Sequence, residues 1–279
     1  MCQFCHQHGE GKKWYLRAEN YAAELLSDMK RRRYLSDFIR ETTNADYEKD
    51  FLRAMRAPSW ARNLKYAAVE KRQRRDHFGQ VVPIEDIGQV LALANSIVRV
   101  PCVCRKNKTG RTDNSFCFCL GIDAEKLLNV KEAFLESFKP GPEEKLFERL
   151  TAEEALELHR SFEKNGLIHT LWTFKTPFIG AICNCDRSDC WAMRFTMSQG
   201  IPLMFRAEYV GQIEADACNR CRECLRQCQF GALTWSASNK KAVIDQRWCY
   251  GCGICRTVCK QKAITLMDRA QCPVAANYW

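Results

Sequence analysis

Hydrophobic positions change their period along this chain, and each change marks a new kind of element. From residue 14 to residue 76 they recur near a helical period, with Tyr15, Leu16, Ala18, Ala22, Leu25, Leu26 and Met29 along one stripe. Asn44 and Ser59 are expected as N-caps, with Pro58 closing the segment between them. This stretch therefore predicts three helices with basic outer faces. Pro83 opens a second regime, with a helix expected over Glu85 to Ala94. The β-branched run Ile97-Val98-Arg99-Val100 predicts a strand leading into Pro101-Cys102-Val103-Cys104. A loop from Lys106 to Ser115 precedes Cys117-Phe118-Cys119. A helix is expected over Ala124 to Phe138, followed by the linker turn Lys139-Pro140-Gly141-Pro142. Thr151-Ala152-Glu153-Glu154 has the form of a capping box, starting a helix that stops at Gly166. Leu167 to Phe174 reads as a strand that delivers Ile182-Cys183-Asn184-Cys185, and a helix from Asp189 to Gln199 ends at Gly200. From Ala207 onward a repeat appears at an offset of 31 residues, pairing Ala232 with Ala263 and Thr234 with Thr265. Lys240 to Asp245 reads as the return strand of a hairpin. These elements predict an α+β chain in three parts. Residues 1–79 hold a Cys/His head and basic helices, 80–206 a mixed α/β unit, and 207–279 the repeat with a tail.

Length changes this picture little, since 279 residues accommodate two or three units with a substantial core. Charge adds more. The formal net charge is +10, and residues 1–80 hold 17 Lys/Arg against 11 Asp/Glu. Lys30-Arg31-Arg32-Arg33 and Lys71-Arg72-Gln73-Arg74-Arg75 supply much of that excess. Such runs serve as solvated helix faces or as docking surfaces for acidic partners. No helix-turn-helix or RNA-binding signature accompanies them, so nucleic acid is not the expected partner. The polar start carries no leader, and Val90 to Val100 is too short to span a bilayer. A cytoplasmic, reducing location follows, in which the 18 cysteines are metal ligands and reactive thiols rather than disulfides.

Eight of those cysteines form two runs of one spacing, C-x2-C-x2-C-x3-C: Cys218, Cys221, Cys224, Cys228, then Cys249, Cys252, Cys255, Cys259. This pair of runs resembles the two-[4Fe–4S] domain of bacterial ferredoxins, in which the fourth cysteine of each run ligates the other cluster. The resemblance implies cluster I on Cys218, Cys221, Cys224 and Cys259, and cluster II on Cys249, Cys252, Cys255 and Cys228. One departure stands out: proline usually follows the fourth cysteine, and here Gln229 and Lys260 do. A free N–H and a nearby cation favour the more negative reduced state, so raised potentials are expected. The middle of the chain is similar to a group of dicluster 4Fe–4S binding proteins through Pro101-Cys102-Val103-Cys104-Arg105, the Thr151 to His169 unit and Ile182-Cys183-Asn184-Cys185. In that group the second motif is richer in cysteine, so Asp186, Arg187 and Ser188 are a departure.

Seven further cysteines fall in C-x-C groups: Cys102/Cys104, Cys117/Cys119, and Cys183/Cys185 with Cys190. They are candidates for a third cluster or a zinc site, with Cys102, Cys104, Cys183 and Cys185 foremost. Buried small hydrophobes on strands are the alternative. Cys190, at a helix N-terminus, is expected to have a lowered thiol pKa. Cys2 and Cys5, with His6 or His8, form a further candidate metal site. Their spacing also matches the C-x-x-C-H haem signature, which normally operates after export. Cys272 reads as an unpaired thiol, and His77, His159 and His169 as scattered structural residues. Trp172, Phe174, Phe178 and Trp191 are either plain core or the lining of an apolar pocket.

Two functions remain. The first is an iron–sulfur electron-transfer protein, a subunit of a larger anaerobic oxidoreductase complex, served by a flavoprotein or another iron–sulfur partner. The second is a reductase whose middle unit holds a catalytic cluster or metal fed by the ferredoxin clusters. Neither G-x-G-x-x-G nor a P-loop is present, which places flavin and nicotinamide chemistry on other chains.

Overall fold

A computed structural model of the protein describes residues 13–111, 114–142 and 144–278. The first described segment makes three short 3-10 turns before any α-helix. Tertiary bonds set that geometry: the Trp14 indole donates to Gln80 Oε1 at 2.6 Å, and the Tyr15 hydroxyl to Asp86 at 2.5 Å. Three helices follow: α1 (Met29–Thr43), α2 (Tyr47–Met55) and α3 (Ser59–Asp76). Asp28 caps α1, its carboxylate accepting from Lys30 N at 2.8 Å. Asn44 is the C-cap of α1 rather than an N-cap, its side chain accepting from Asp46 N. Pro58 takes the extended cap position of α3, which makes Ser59 the first helical residue.

The middle of the chain builds a six-stranded sheet flanked by helices. In order come β1 (Gly79–Val82), α4 (Ile84–Leu93), β2 (Ile97–Val100), α5 (Val103–Thr109), β3 (Cys117–Leu120), α6 (Leu128–Phe138), β4 (Glu148–Arg149), α7 (Ala152–Lys164), β5 (Ile168–Thr173), β6 (Ile179–Cys185) and α8 (Trp191–Gln199). The strand order is β1-β5-β6-β3-β2-β4, and every pairing is antiparallel. The capping box forms as expected, with Thr151 and Glu154 exchanging side-chain and backbone bonds. Helix α6 starts later than expected because Asp123 holds the chain in a turn, bonding Lys126 N.

Both faces of the sheet are buried, and strand alternation sorts the residues between them. Ile97, Phe118, Leu120, Leu171 and Ile182 form one core with residues of α4 and α7. Val98, Val100, Cys117, Cys119, Trp172 and Cys185 form the other, beneath residues of α1, α2, α6 and α8. The N-terminal helices thus cover the cysteine-bearing face.

The last unit contains β7 (Tyr209–Ile213), α9 (Glu223–Gln227), the hairpin β8 (Leu233–Ser236) and β9 (Lys241–Ile244), and β10 (Ile264–Asp268), which pairs with β7. It is held to the middle unit by specific contacts. Arg256 makes a two-pronged ion pair with Glu85 at 2.6 and 2.9 Å. The Tyr209 hydroxyl donates to Asp86 at 3.0 Å, while within the last unit the fully buried Arg269 donates to the carbonyls of Ala207, Tyr209 and Cys249. The fold is α+β.

Candidate redox centres

The eight cysteines of the two runs fall into two groups in the C-terminal unit. Cys224 lies near Cys221, Cys218 and Cys259, and these four thiols ring one small cavity. Cys252 and Cys255 both feel Cys249 and Cys228, so the fourth cysteine of each run reaches across to the other group. Gly251 permits the tight Cys249–Cys255 turn. At φ 72° it sits where a Cβ would run into the Tyr209 carbonyl. Backbone N–H groups point at sulfur, from Gly211 to Cys249 and from Ala263 to Cys259, each at 3.3 Å. Such bonds favour thiolate, and this donor set fits two iron–sulfur clusters. The two groups differ in exposure: Cys221 is exposed, whereas Cys228 and Cys252 pack against the core of the middle unit.

That core holds a second arrangement of thiols. On β3 and β6 the C-x-C spacing matches the strand period, so both cysteines of each pair share a face. Cys117 stands opposite Cys183, with the sulfurs 3.4 Å apart. Cys102 continues β2 and Cys104 lies in the first turn of α5. Cys190 is the N-cap of α8, whose first turn closes over the same face. Six cysteines thereby form a connected series in which Cys183 meets Cys117, Cys117 meets Cys102, Cys102 meets Cys104, Cys104 meets Cys190, and Cys190 meets Cys185. They surround a buried cavity of about 50 Å³. Cys119 shares the face but stands outside this ring; burial pushes its thiol up to about 12.

The protonation pattern follows from crowding. Cys102 is held well below the usual thiol value by donation from Cys104 and Cys117, and Cys190 by donation from Cys104 and Cys185. For Cys190 the expected direction is right, but the neighbouring thiols outweigh the backbone N–H of Met193. The donors Cys104, Cys117 and Cys185 are pushed up correspondingly. Beside them lies the buried Arg105, paired with Asp186 at 2.6 Å and Asp189 at 2.9 Å and set over the Phe116 ring. Its Nε has no hydrogen-bond partner among the described residues. Asp186 also accepts from Ser188 and Asp189, so this acid organises the turn and anchors the cation.

Among the described residues, no three His, Cys, Asp or Glu side chains converge closely enough for a single ion. Thiols that hold a multi-iron core stand around a volume rather than a point, so they need not converge in this way. Trp172, Phe174 and Trp191 line the thiol cavity, while Phe178 does not. The histidines are less scattered than their sequence positions suggest. His77 lines the cavity, and His159 and His169 meet with ring centres 5.3 Å apart. All three are buried, which lowers them to about 4, 3 and 4 respectively. Cys272 is a buried free thiol against Gln246. Cys2, Cys5, His6 and His8 lie outside the described residues.

Gln229, immediately after Cys228, spans the two arrangements. Its amide donates to the Gly166 carbonyl at 2.8 Å and accepts from Arg187 N at 3.1 Å. A proline here could make neither bond, a role for the departure that local sequence could not reveal.

Residues 217–264 match the family model of the 4Fe-4S dicluster domain. Over 47 residues the chain is 38% identical to the ferredoxin-like protein YdhY of Escherichia coli strain K12, covering 16% of this chain and 23% of that protein. Over 48 residues it is also 38% identical to the indolepyruvate oxidoreductase subunit IorA of Pyrococcus horikoshii, covering 17% of this chain and 7% of that subunit. The alignments thus span less than a quarter of these relatives. No helix among the described residues is long and apolar enough to cross a membrane. The C-terminal unit is a 4Fe–4S dicluster domain of the ferredoxin-like kind, an iron–sulfur unit suited to electron transfer.

Proposed function

We propose that this protein is a redox enzyme subunit in which two [4Fe–4S] clusters carry single electrons between an external redox protein and a third iron–sulfur centre in the middle unit. In the C-terminal unit, Cys218, Cys221, Cys224 and Cys259 hold the outer cluster, and Cys249, Cys252, Cys255 and Cys228 the inner one. The observation that carries the reading is the convergence of six thiols, four buried and two half-buried, from three separate stretches of chain, around one cavity. Bound clusters supply reversible one-electron chemistry. The chain's own residues supply direction. The exposed Cys221 puts the outer cluster at the surface, where a flavoprotein or another iron–sulfur subunit can reach it. Cys228 and Cys252 turn the inner cluster toward the core that contains the thiol ring, and Gln229 fastens that side. Arg105, its charge matched by Asp186 and Asp189, keeps one N–H without a partner beside the ring, a donor for the sulfur of a bound centre.

Crowding favours a cluster over an apolar role. Six thiols in mutual contact, four of them buried, gain little as packing, and metal binding would release their protons. Zinc is less well served, since it needs four donors converging about 2.3 Å from one point. A potentiometric titration followed by electron paramagnetic resonance tests the proposal. Cys102→Ser/Cys190→Ser should abolish one signal and leave two interacting ferredoxin signals intact. Identical spectra before and after the substitution would remove the third centre from the account.

A further inference from the structure

Cys117 and Cys183 face each other directly across β3 and β6. In the pair beside them the Asn184 N–H donates to the Phe116 carbonyl at 3.0 Å, so that pair is hydrogen-bonded. Bonded and non-bonded pairs alternate along antiparallel strands, which makes Cys117 and Cys183 a non-hydrogen-bonded pair. Cα atoms in such a pair stand about 4.5 Å apart, within the span that a disulfide bridges. The Cys117 thiol donates to the Cys183 sulfur at 3.4 Å, against about 2.0 Å in a disulfide. Cys119, on the same strand, faces Ala181 and has no cysteine opposite.

Access separates the two sulfurs. Cys183 is the one residue of β6 that is not fully buried, whereas Cys117 is buried. Both line the cavity of about 50 Å³, which has room for a molecule of peroxide's size. A small oxidant that enters meets Cys183, with Cys117 in contact behind it.

We propose that Cys117 and Cys183 form a reversible disulfide when the ring carries no metal centre, a redox latch that withholds two of its ligands. Only this consequence rests on the reading of the ring as a ligand set; the bridge itself needs the two thiols alone. Hydrogen peroxide serves as oxidant. The Cys183 sulfur attacks one peroxide oxygen, the O–O bond breaks, and water departs to leave a sulfenic acid on Cys183. The Cys117 sulfur then attacks the Cys183 sulfur. The S–S bond forms, the S–O bond breaks, and the Cys117 proton leaves with the hydroxyl as a second water. The thiol pair loses two electrons and peroxide gains them. A dithiol reopens the bridge by exchange and leaves as a disulfide. Bridging also keeps Cys183 from going on to the irreversible sulfinic acid.

The test uses the full chain, purified anaerobically and exposed to hydrogen peroxide in stepwise excess until iron is released. Free thiols are then blocked with iodoacetamide and cross-linked peptides mapped by tandem mass spectrometry. The dominant cross-link within the ring should join Cys117 to Cys183, and dithiothreitol should restore both thiols. Cys119→Ser should keep that cross-link. Cys117→Ser should lose it and carry sulfinic acid on Cys183 instead. Ring cysteines of the native chain joined in another pattern, or oxidised without a cross-link, would overturn the inference, and that result needs no variant. Iron content before oxidation separates the two readings. About eight irons per chain with the cross-link formed removes the third centre and keeps the bridge, while about twelve with no cross-link does the reverse.

Discussion

The ferredoxin unit and the thiol ring gather cysteines by opposite means. In the first, eight ligands lie within 42 residues, and local turns deliver them wherever those runs fold. In the second, six cysteines spread from Cys102 to Cys190 meet only because three strands pair in register and two helices begin at the right place. The ferredoxin runs can therefore form with little help from the rest of the chain. The ring depends on the whole middle fold.

The largest contrast should come from removing ligands. Cys102→Ser/Cys190→Ser should cost about four irons, while Cys224→Ser/Cys252→Ser should empty the C-terminal unit and leave the ring loaded. Parallel loss in both variants, read by iron and sulfide content, would show that the two centres are not independent. Arg105→Met comes next. It strands two half-exposed carboxylates beside the ring, and losing the charge-assisted bonds of the buried guanidinium costs about 1.5–3 kcal/mol. Denaturant unfolding should show that loss in the middle unit, with the ferredoxin signals persisting to higher denaturant.

The same contrast governs what the sequence discloses. The hairpin, the capping box at Thr151 and the strand at Ile97 are local signals, and each forms as read. The C-x-C pairs were legible as candidates because their spacing equals a strand period. Which of them meet was not. Cys117 and Cys190 join the ring and Cys119 does not, a choice made by the register Cys117↔Cys183 and by the start of α8. The 3-10 turns at the start were hidden for a similar reason, since Gln80 and Asp86 dictate them from far along the chain.

Acid should also separate the regions. His159 and His169 are held neutral by burial, below their unfolded value of about 6.5. Their contribution to stability is complete above pH 6.5 and is lost progressively as pH falls toward about 4 and 3. His159→Phe should flatten the decline between pH 7 and pH 5 in denaturant unfolding. An unchanged slope would assign the acid sensitivity elsewhere. The smallest effect belongs to Gln229→Pro, which removes two side-chain bonds worth about 1 kcal/mol each and one N–H near the inner cluster. Iron content should hold while the inner midpoint falls. An unmoved midpoint would confine Gln229 to joining the units.

The central claim is a third centre in the ring, and the most direct measurement is iron and sulfide content of the anaerobically purified chain. Three cubane clusters predict about twelve of each per chain. About eight of each, with the six ring thiols open to alkylation under native conditions, would contradict it.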